Sequence, residues 1–544
     1  MLLALATPCV GMAQTAVPTT SVNAGLGTSI PQNTALGSGL VNLHDLVNAP
    51  SLSAGDEDIT VSTSIGAFAG YTDNLALTSG SYSARQRGSF EEHLAPQIMV
   101  SAETSRLQGN LTYSPDLRFY NSEGSANRVA QNLAAGGTAQ VVEDVLFVNA
   151  SAYATQASGS QLSAYNSSRL TTSAAQSQVY GYSFNPYLLQ HYGDTANLKA
   201  SYQYSGSYFD NSAYGSSTSR QPNTSSASQN EDLLITSGTD FQTLSHALEA
   251  SATQFLGNGS EKGGYRNLGT YTATYPMTRS VALIGMIGGE GVHYAGTSSG
   301  SVVTSNAYNY NGLIGQGGLK FTPSDERHLT VLYGSMDGGP AFTADGLLSL
   351  GARVSLSLDS STGLSTNSQD LQGLAGAATV GPDGTLSQGV GNTPLGYALG
   401  VNGADNMVYR LTRSSASLIY ALDRDSFSAS VSRTQTQNVN GSTLQGLNSV
   451  STLGSLGWQH ELSDSFSSSL SGSYGTTHFS GGGPLGGNSP AVGATARLAD
   501  QLTEMLSAEI DYSYTRQRLY GLTSNGAAQT QSANEIIAGV VQKF

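Results

Sequence analysis

A chain of 544 residues with 38% hydrophobic and 11% charged side chains lacks both the apolar stock of a large soluble core and the charge of a soluble surface, which run at roughly 45–50% and about 25% in ordinary globular domains. Its formal net charge of −15 argues against a nucleic-acid interface, which needs basic patches. No apolar run approaches the roughly 18 residues of a membrane helix, the best being residues 281–287, so any membrane crossing must be made by strands.

The chain opens on an apolar run, residues 2–13, which ends in Gly11-Met12-Ala13 before polar Gln14. This reads as a secretory signal peptide over residues 1–13, truncated at its start because no basic segment precedes it. Cys9 follows Pro8, where a lipoprotein signal requires a small residue. Its removal with the signal leaves a mature chain without thiols, as suits export. Residues 14–58 carry Pro18, Pro31 and Pro50 and end on Asp56-Glu57-Asp58. They read as a flexible periplasmic tail or a plug, too short for a domain of its own.

From Ile59 to the end the chain breaks into strand-length segments separated alternately by short turns and long loops rich in Gly, Ser and Asn. Short turns are expected near Thr104-Ser105, Glu143-Asp144, Gly193-Asp194, Ser245, Thr278-Arg279, Ser324-Asp325, Gly351, Arg424-Asp425, Asp464 and Asp500-Gln501. Long connections are expected between them, including 71–87, 210–232, 338–340 and 361–406. The spacing predicts an all-β fold, a transmembrane antiparallel up-and-down β-barrel of about 22 strands, within a range of roughly 18–24. An even count puts both ends of residues 59–544 on the periplasmic side.

Several segments show two unlike faces. Leu198, Ala200, Tyr202 and Tyr204 alternate with Lys199, Ser201, Gln203 and Ser205, and Ala508, Ile510, Tyr512 and Tyr514 alternate with Glu509, Asp511 and Ser513. A basic side chain at mid-bilayer costs roughly 2–4 kcal/mol and an acidic one somewhat less, so Lys199, Gln203, Glu509 and Asp511 are expected to face the lumen. Aromatic residues repeatedly precede the short turns. Tyr275, Phe321, Tyr420 and Trp458 are therefore expected in a periplasmic aromatic girdle. The 361–406 loop, with Pro382-Asp383-Gly384 as an internal turn, reads either as an inward-folded constriction or as an exposed disordered loop. The last segment runs through Ile536, Ala538 and Val540 to Phe544, which is expected to close the barrel beside the first strand near Ile59.

Three stretches carry a family resemblance: Tyr71-Thr72-Asp73-Asn74-Leu75, the run from Val142 through Glu143-Asp144 to Ala150, and Gly312-Leu313-Ile314-Gly315 with Phe321-Thr322-Pro323. The chain from about residue 59 onward resembles the outer-membrane β-barrel proteins associated with exosortase (PEP-CTERM) and exopolysaccharide loci, the β-barrel porin-2 group. The resemblance implies a bacterial outer-membrane location and a role in export of, or association with, an extracellular polysaccharide. It supplies no catalytic residue and no solute.

The eight histidines show no metal-ligand spacing, and the Gly481-Gly482-Gly483 run has no Lys and helix after it, as a phosphate loop would. No enzyme activity, cofactor or metal is predicted. The expected partners are outer-membrane lipid, the barrel-assembly machinery and, through the resemblance, polysaccharide. Two functions remain open: a porin-like channel or export conduit, and a non-conducting barrel that anchors a surface or biofilm assembly by its long loops. A secreted β-solenoid shares the Gly, Ser, Thr and Asn richness but needs a fixed repeat, which is not seen.

Overall fold

The computed structural model describes residues 58–75, 88–121, 127–158, 176–210, 224–299, 302–324, 327–372, 378–380, 386–388, 393–394, 408–439, 448–480, 487–519 and 529–544. Of the signal and tail expected over residues 1–58, only Asp58, which begins the first strand, falls among them. Twenty-two strands form one sheet. The first eleven are β1 (Asp58–Thr72), β2 (Ser89–Glu103), β3 (Leu107–Tyr120), β4 (Arg128–Val142), β5 (Leu146–Ser158), β6 (Gln176–Tyr192), β7 (Ala196–Asp210), β8 (Thr224–Ser237), β9 (Ser245–Phe255), β10 (Tyr265–Pro276) and β11 (Val281–Tyr294). The rest are β12 (Tyr308–Ser324), β13 (Arg327–Met336), β14 (Gly339–Ser349), β15 (Val354–Ser365), β16 (Tyr409–Ala421), β17 (Asp425–Asn438), β18 (Asn448–Glu461), β19 (Phe466–Ser480), β20 (Gly487–Gln501), β21 (Leu506–Leu519) and β22 (Gln529–Lys543).

Each strand pairs antiparallel with its neighbours in sequence, and β22 pairs antiparallel with β1, so the sheet is a closed 22-stranded barrel without an edge. The period of two sorts the side chains. In β10, Arg266, Leu268, Thr270 and Thr272 are buried on the inner face, while Tyr265, Tyr271 and Tyr275 are exposed on the outer one. The same sorting leaves Leu313 83% and Ile287 66% exposed to the outside. Apolar side chains exposed on the outside in this number are costly in water and suit the outer face of a barrel that crosses a membrane.

The short turns use a recurring device. Thr104 stands first in a three-residue connection and Thr278, Ser463 and Thr503 each second in a four-residue one, and each hydroxyl oxygen accepts the backbone N–H groups two and three residues on, at 2.9–3.3 Å. The side chain thus replaces the missing ladder partner and starts the returning strand in register.

Strand ends differ from the sequence reading where the inner face is polar. Residues 224–232, read as loop, belong to β8, and Asp500-Gln501, read as a turn, are the last residues of β20. A lumen-facing Ser, Asn or Asp resembles a loop residue in composition, but its backbone pairs as any other does. The predicted 338–340 loop is a two-residue hairpin turn, with Asp337 at φ 54° and Gly338 at φ 72°, the geometry that Asp-Gly favours.

The seam between β1 and β22 joins Ser64–Thr72 of β1 to Glu535–Lys543 of β22. Register runs from Ser64 opposite Lys543 to Thr72 opposite Glu535. Beyond it, at the long-loop end, the Tyr71–Leu75 motif forms a clasp. Asn534 donates its backbone N–H and its amide to the Asp73 carboxylate at 2.8 and 2.7 Å, and Asn74 donates to the Ser532 carbonyl at 2.8 Å. At the other end the Phe544 backbone N–H donates to the Thr63 carbonyl at 2.9 Å. Phe544 thus lies beside Thr63 and not beside Ile59, because β1 overhangs the end of β22 and pairs there only with β2. The Phe544 ring is 72% exposed and contributes little to the assembled fold. Deleting Phe544 should therefore slow membrane assembly in cells while leaving the thermal stability of whatever assembles within about 1 kcal/mol of wild type, the worth of one hydrogen bond; unimpaired assembly would show that the terminal aromatic is not read.

Candidate functional site: an inward-folded constriction

The connection between β15 and β16 turns into the barrel. Thr366 starts a short helix, α1 (Asn367–Gln372), through a reciprocal capping box: the Gln369 backbone N–H donates to Thr366 Oγ1 at 3.3 Å, and the Thr366 N–H donates to Gln369 Oε1 at 3.1 Å. The stems are fixed by an apolar cluster in which Leu364 and Val408 pack with Phe255, Val292 and Tyr294, the Phe255 and Tyr294 rings stacking at 5.0 Å.

The helix is held to the wall almost entirely by polar contacts. Ser205 and Ser228 donate to Gln372 Oε1 at 3.1 and 2.8 Å, Gln372 donates to Ser226 Oγ at 3.2 Å, and Ser207 donates to the Ser368 carbonyl at 3.3 Å. On the stem side Asp370 accepts hydrogen bonds from Ser365 and Tyr409, both at 2.7 Å, and from Arg413 at 3.0 Å. Residues 378–380 then lie against β3 and β4. β4 and β15 are eleven strands apart in either direction around the 22-stranded ring, so the segment reaches the opposite wall. This network of partnered polar groups is what keeps a polar segment in a defined place. The Pro382-Asp383-Gly384 turn lies outside the described residues.

A second element reaches inward nearby. Asp337, at the tip of the β13–β14 hairpin, is 1% exposed. Its carboxylate pairs with Arg266 of β10 at 2.7 Å and accepts the Leu364 backbone N–H at 3.2 Å. Its carbonyl accepts from Arg410 of β16 at 2.5 Å and from Tyr308 of β12 at 2.8 Å. The tip therefore ties the bent end of β15 to neighbouring strands. β14 pairs with β15 only as far as Ala344 opposite Ser360, and the freed top of β15 leans in with the constriction.

Glu261 joins the two sides of the site. It sits in a one-turn 3-10 helix, Gly259–Glu261, between β9 and β10, is fully buried, and accepts hydrogen bonds from the hydroxyls of Ser226 on β8 and Thr366 at the start of α1. Burial pushes its carboxyl up to about 7, against the opposing effect of those two hydroxyls.

The predicted residues fall as follows. Lys199 is on the inner face, its ammonium 5.3 Å from the centre of the buried Tyr187 ring, and Gln203 donates to Ser183 Oγ at 3.0 Å on the same face. Glu509 and Asp511 share the β21 inner face with a common partner, Arg497, whose guanidinium pairs with Glu509 and lies 3.6 Å from Asp511. Tyr275, Phe321, Tyr420 and Trp458 are all exposed on the outer face beside short connections. Tyr420 stacks on Phe427 at 6.3 Å, and Trp458 donates its indole N–H to Asp425 at 2.8 Å.

None of the four predicted lumen residues belongs to the hydrogen-bond network that holds the constriction. The residues that build it were missed, although Thr366-x-x-Gln369 is a legible capping signature. Among the described residues no group of three or more His, Cys, Asp or Glu is placed to hold a metal ion.

Fold and site together define a wide β-barrel with a polar lumen narrowed by its own longest connection. A scan of protein-family models finds no match to the chain, and a search of curated proteins finds none. Among solved structures it is similar to the closed form of the ferric-catecholate import receptor Fiu of E. coli K12, at 11% identity and a TM-score of 0.46 over 89% of this chain and 82% of that one. It is similar also to the siderophore receptor PirA of Acinetobacter baumannii, at 10% and 0.42 over 90% and 81%. Acinetobacter baumannii OccAB1 matches at 10% and 0.34 over 91% of this chain and all of that one.

Proposed function

We propose that the chain is a bacterial outer-membrane pore that passes small hydrophilic solutes, its short turns in the periplasm and its long loops outside. The observation that carries this is the inner wall from β15 to β20. Small hydroxyl side chains face each other there across successive strands: Ser357 with Ser417 at 2.6 Å, Ser430 with Ser455 at 2.6 Å, Ser451 with Thr477 at 2.8 Å and Ser471 with Thr495 at 2.5 Å. Of these only Thr477 is buried, and the Ser471–Thr495 pair is exposed, so solvent reaches this wall.

A ring of 22 strands about 4.8 Å apart and tilted about 40° is roughly 40 Å across, whereas a helix is about 10 Å thick. The α1 segment narrows such a lumen without filling it. Hydroxyls that both donate and accept can replace the hydration of an uncharged polar solute at little cost. The family resemblance adds an extracellular polysaccharide as the associated material, with export of it or association with it as the role.

Purified barrel in planar bilayers should conduct, with a mild cation preference of about two- to threefold in permeability, because the inward carboxylates Asp232, Glu249, Asp345 and Asp359 outnumber the nearby cations Lys199, Arg266 and Arg413. Strong anion selectivity would place the acidic balance in the loops. Absence of conductance, also after removal of residues 14–58, would leave the structural anchor as the function.

A further inference from the structure

The Glu261 carboxylate occupies an unusual position for an acid. It is fully buried between the wall and α1 and is met only by hydroxyls, and no cationic side chain among the described residues pairs with it. The hydroxyl of Thr366 that donates to it is the same one that caps α1 by accepting the Gln369 N–H. Charge at Glu261 is therefore felt directly by the first turn of the constriction.

The other titratable and charged groups of the packed elements are engaged elsewhere. Tyr294 of β11 exchanges hydrogen bonds with Gln369, Tyr409 and Arg413 of β16 both bind Asp370, and Arg266 of β10 pairs with Asp337. Lys262, next in the chain, is exposed to solvent.

We propose that Glu261 is a proton-operated latch: with its carboxyl protonated, residues 366–372 stay docked across the lumen, and loss of that proton to solvent releases them. When protonated, the carboxyl gives its own proton to one of the two hydroxyl oxygens and still accepts from the other, whereas a carboxylate there accepts from both but has no countercharge. The sign follows from the raised pKa. An acid whose carboxyl titrates at about 7 when docked and 4.5 when free supports docking fully below 4.5, and that support is lost as pH climbs through 7. For its consequence, wider opening at higher pH, the latch rests on the pore reading above.

The test is amide hydrogen exchange over residues 366–372 in the full chain refolded into lipid vesicles, comparing wild type with Glu261→Gln at each pH so that the intrinsic rate cancels. The two should exchange alike at pH 5. At pH 8 the wild type should exchange on the order of a hundredfold faster, the ceiling set by a shift of that size. Equal ratios at both pH values would overturn the latch. Should Glu261→Gln not assemble, the wild type is referenced instead to the amides of β7, which ionisation at Glu261 leaves paired, and a pH-independent ratio again overturns it. Planar-bilayer conductance separates the two readings: switching exchange in a barrel that never conducts removes the pore and leaves the latch, and conductance with unswitched exchange does the reverse.

Discussion

Replacing residues 366–408 by an Asn-Gly turn should raise single-channel conductance roughly threefold, as the cross-section taken by the crossing segment is recovered. The wall should survive the change. Ser365 stands directly opposite Tyr409 in the β15–β16 register, so a two-residue turn with the favoured sequence closes the hairpin where it now opens. The hydrogen bonds that disappear are those that hold the segment itself: Ser205, Ser226 and Ser228 regain water, and Glu261 opens to solvent and ionises freely. The shortened barrel should therefore also lose any dependence of conductance on pH between 5 and 8. An unchanged conductance in a correctly assembled barrel would mean that the flow is limited elsewhere in the lumen.

The second large effect is expected at the seam. Gly539 of β22 lies opposite Phe68 of β1, and a Cβ at Gly539 would sit 2.1 Å from the Phe68 ring and 2.6 Å from the Ala67 carbonyl oxygen. The ring has little room to withdraw, since Phe68 packs with Ala95, Ile537 and Val541, and Gly66 also lies beneath it. Gly539→Val should thus cost about 3 kcal/mol or more, the upper range for overpacking, and because the backbone oxygen is involved the cost falls on the pairing that closes the barrel. The expected result is loss of the compact, heat-modifiable form on gels and accumulation of unassembled chain. Gly472→Val in β19, where an added Cβ meets nothing within 4 Å, is the matched control and should assemble normally. Equal assembly of the two variants would show that the seam tolerates a shifted register.

The two sites differ in how far the sequence announces them. Closure was legible because each of its parts is local: alternation in residues 508–515, short turns such as those at Thr104, Thr278 and Ser463, and a last strand that needs a partner. The even count of strands then leaves β1 as that partner. The placement of Phe544 was off by a few residues, because register across the seam depends on the Asp73–Asn534 clasp and on the Phe68 ring over Gly539, which no local pattern encodes. The polar wall was the main source of misread boundaries, as in β8, since a strand facing water inside a barrel and a loop facing water outside it draw on the same residues.

The sequence by itself determined the class of fold and the strand number, because alternation and turn chemistry act over neighbouring residues. It also marked the longest connection, either as a constriction or as an exposed loop. Only the tertiary structure decided where that connection goes and what holds it. Glu261 meets Ser226 across 35 residues of chain and Thr366 across 105, and Gln372 meets Ser205 across 167. Contacts at such separations follow from closing the ring, which brings distant strands around one lumen, and a buried acid acquires its meaning only from what the closed ring places against it.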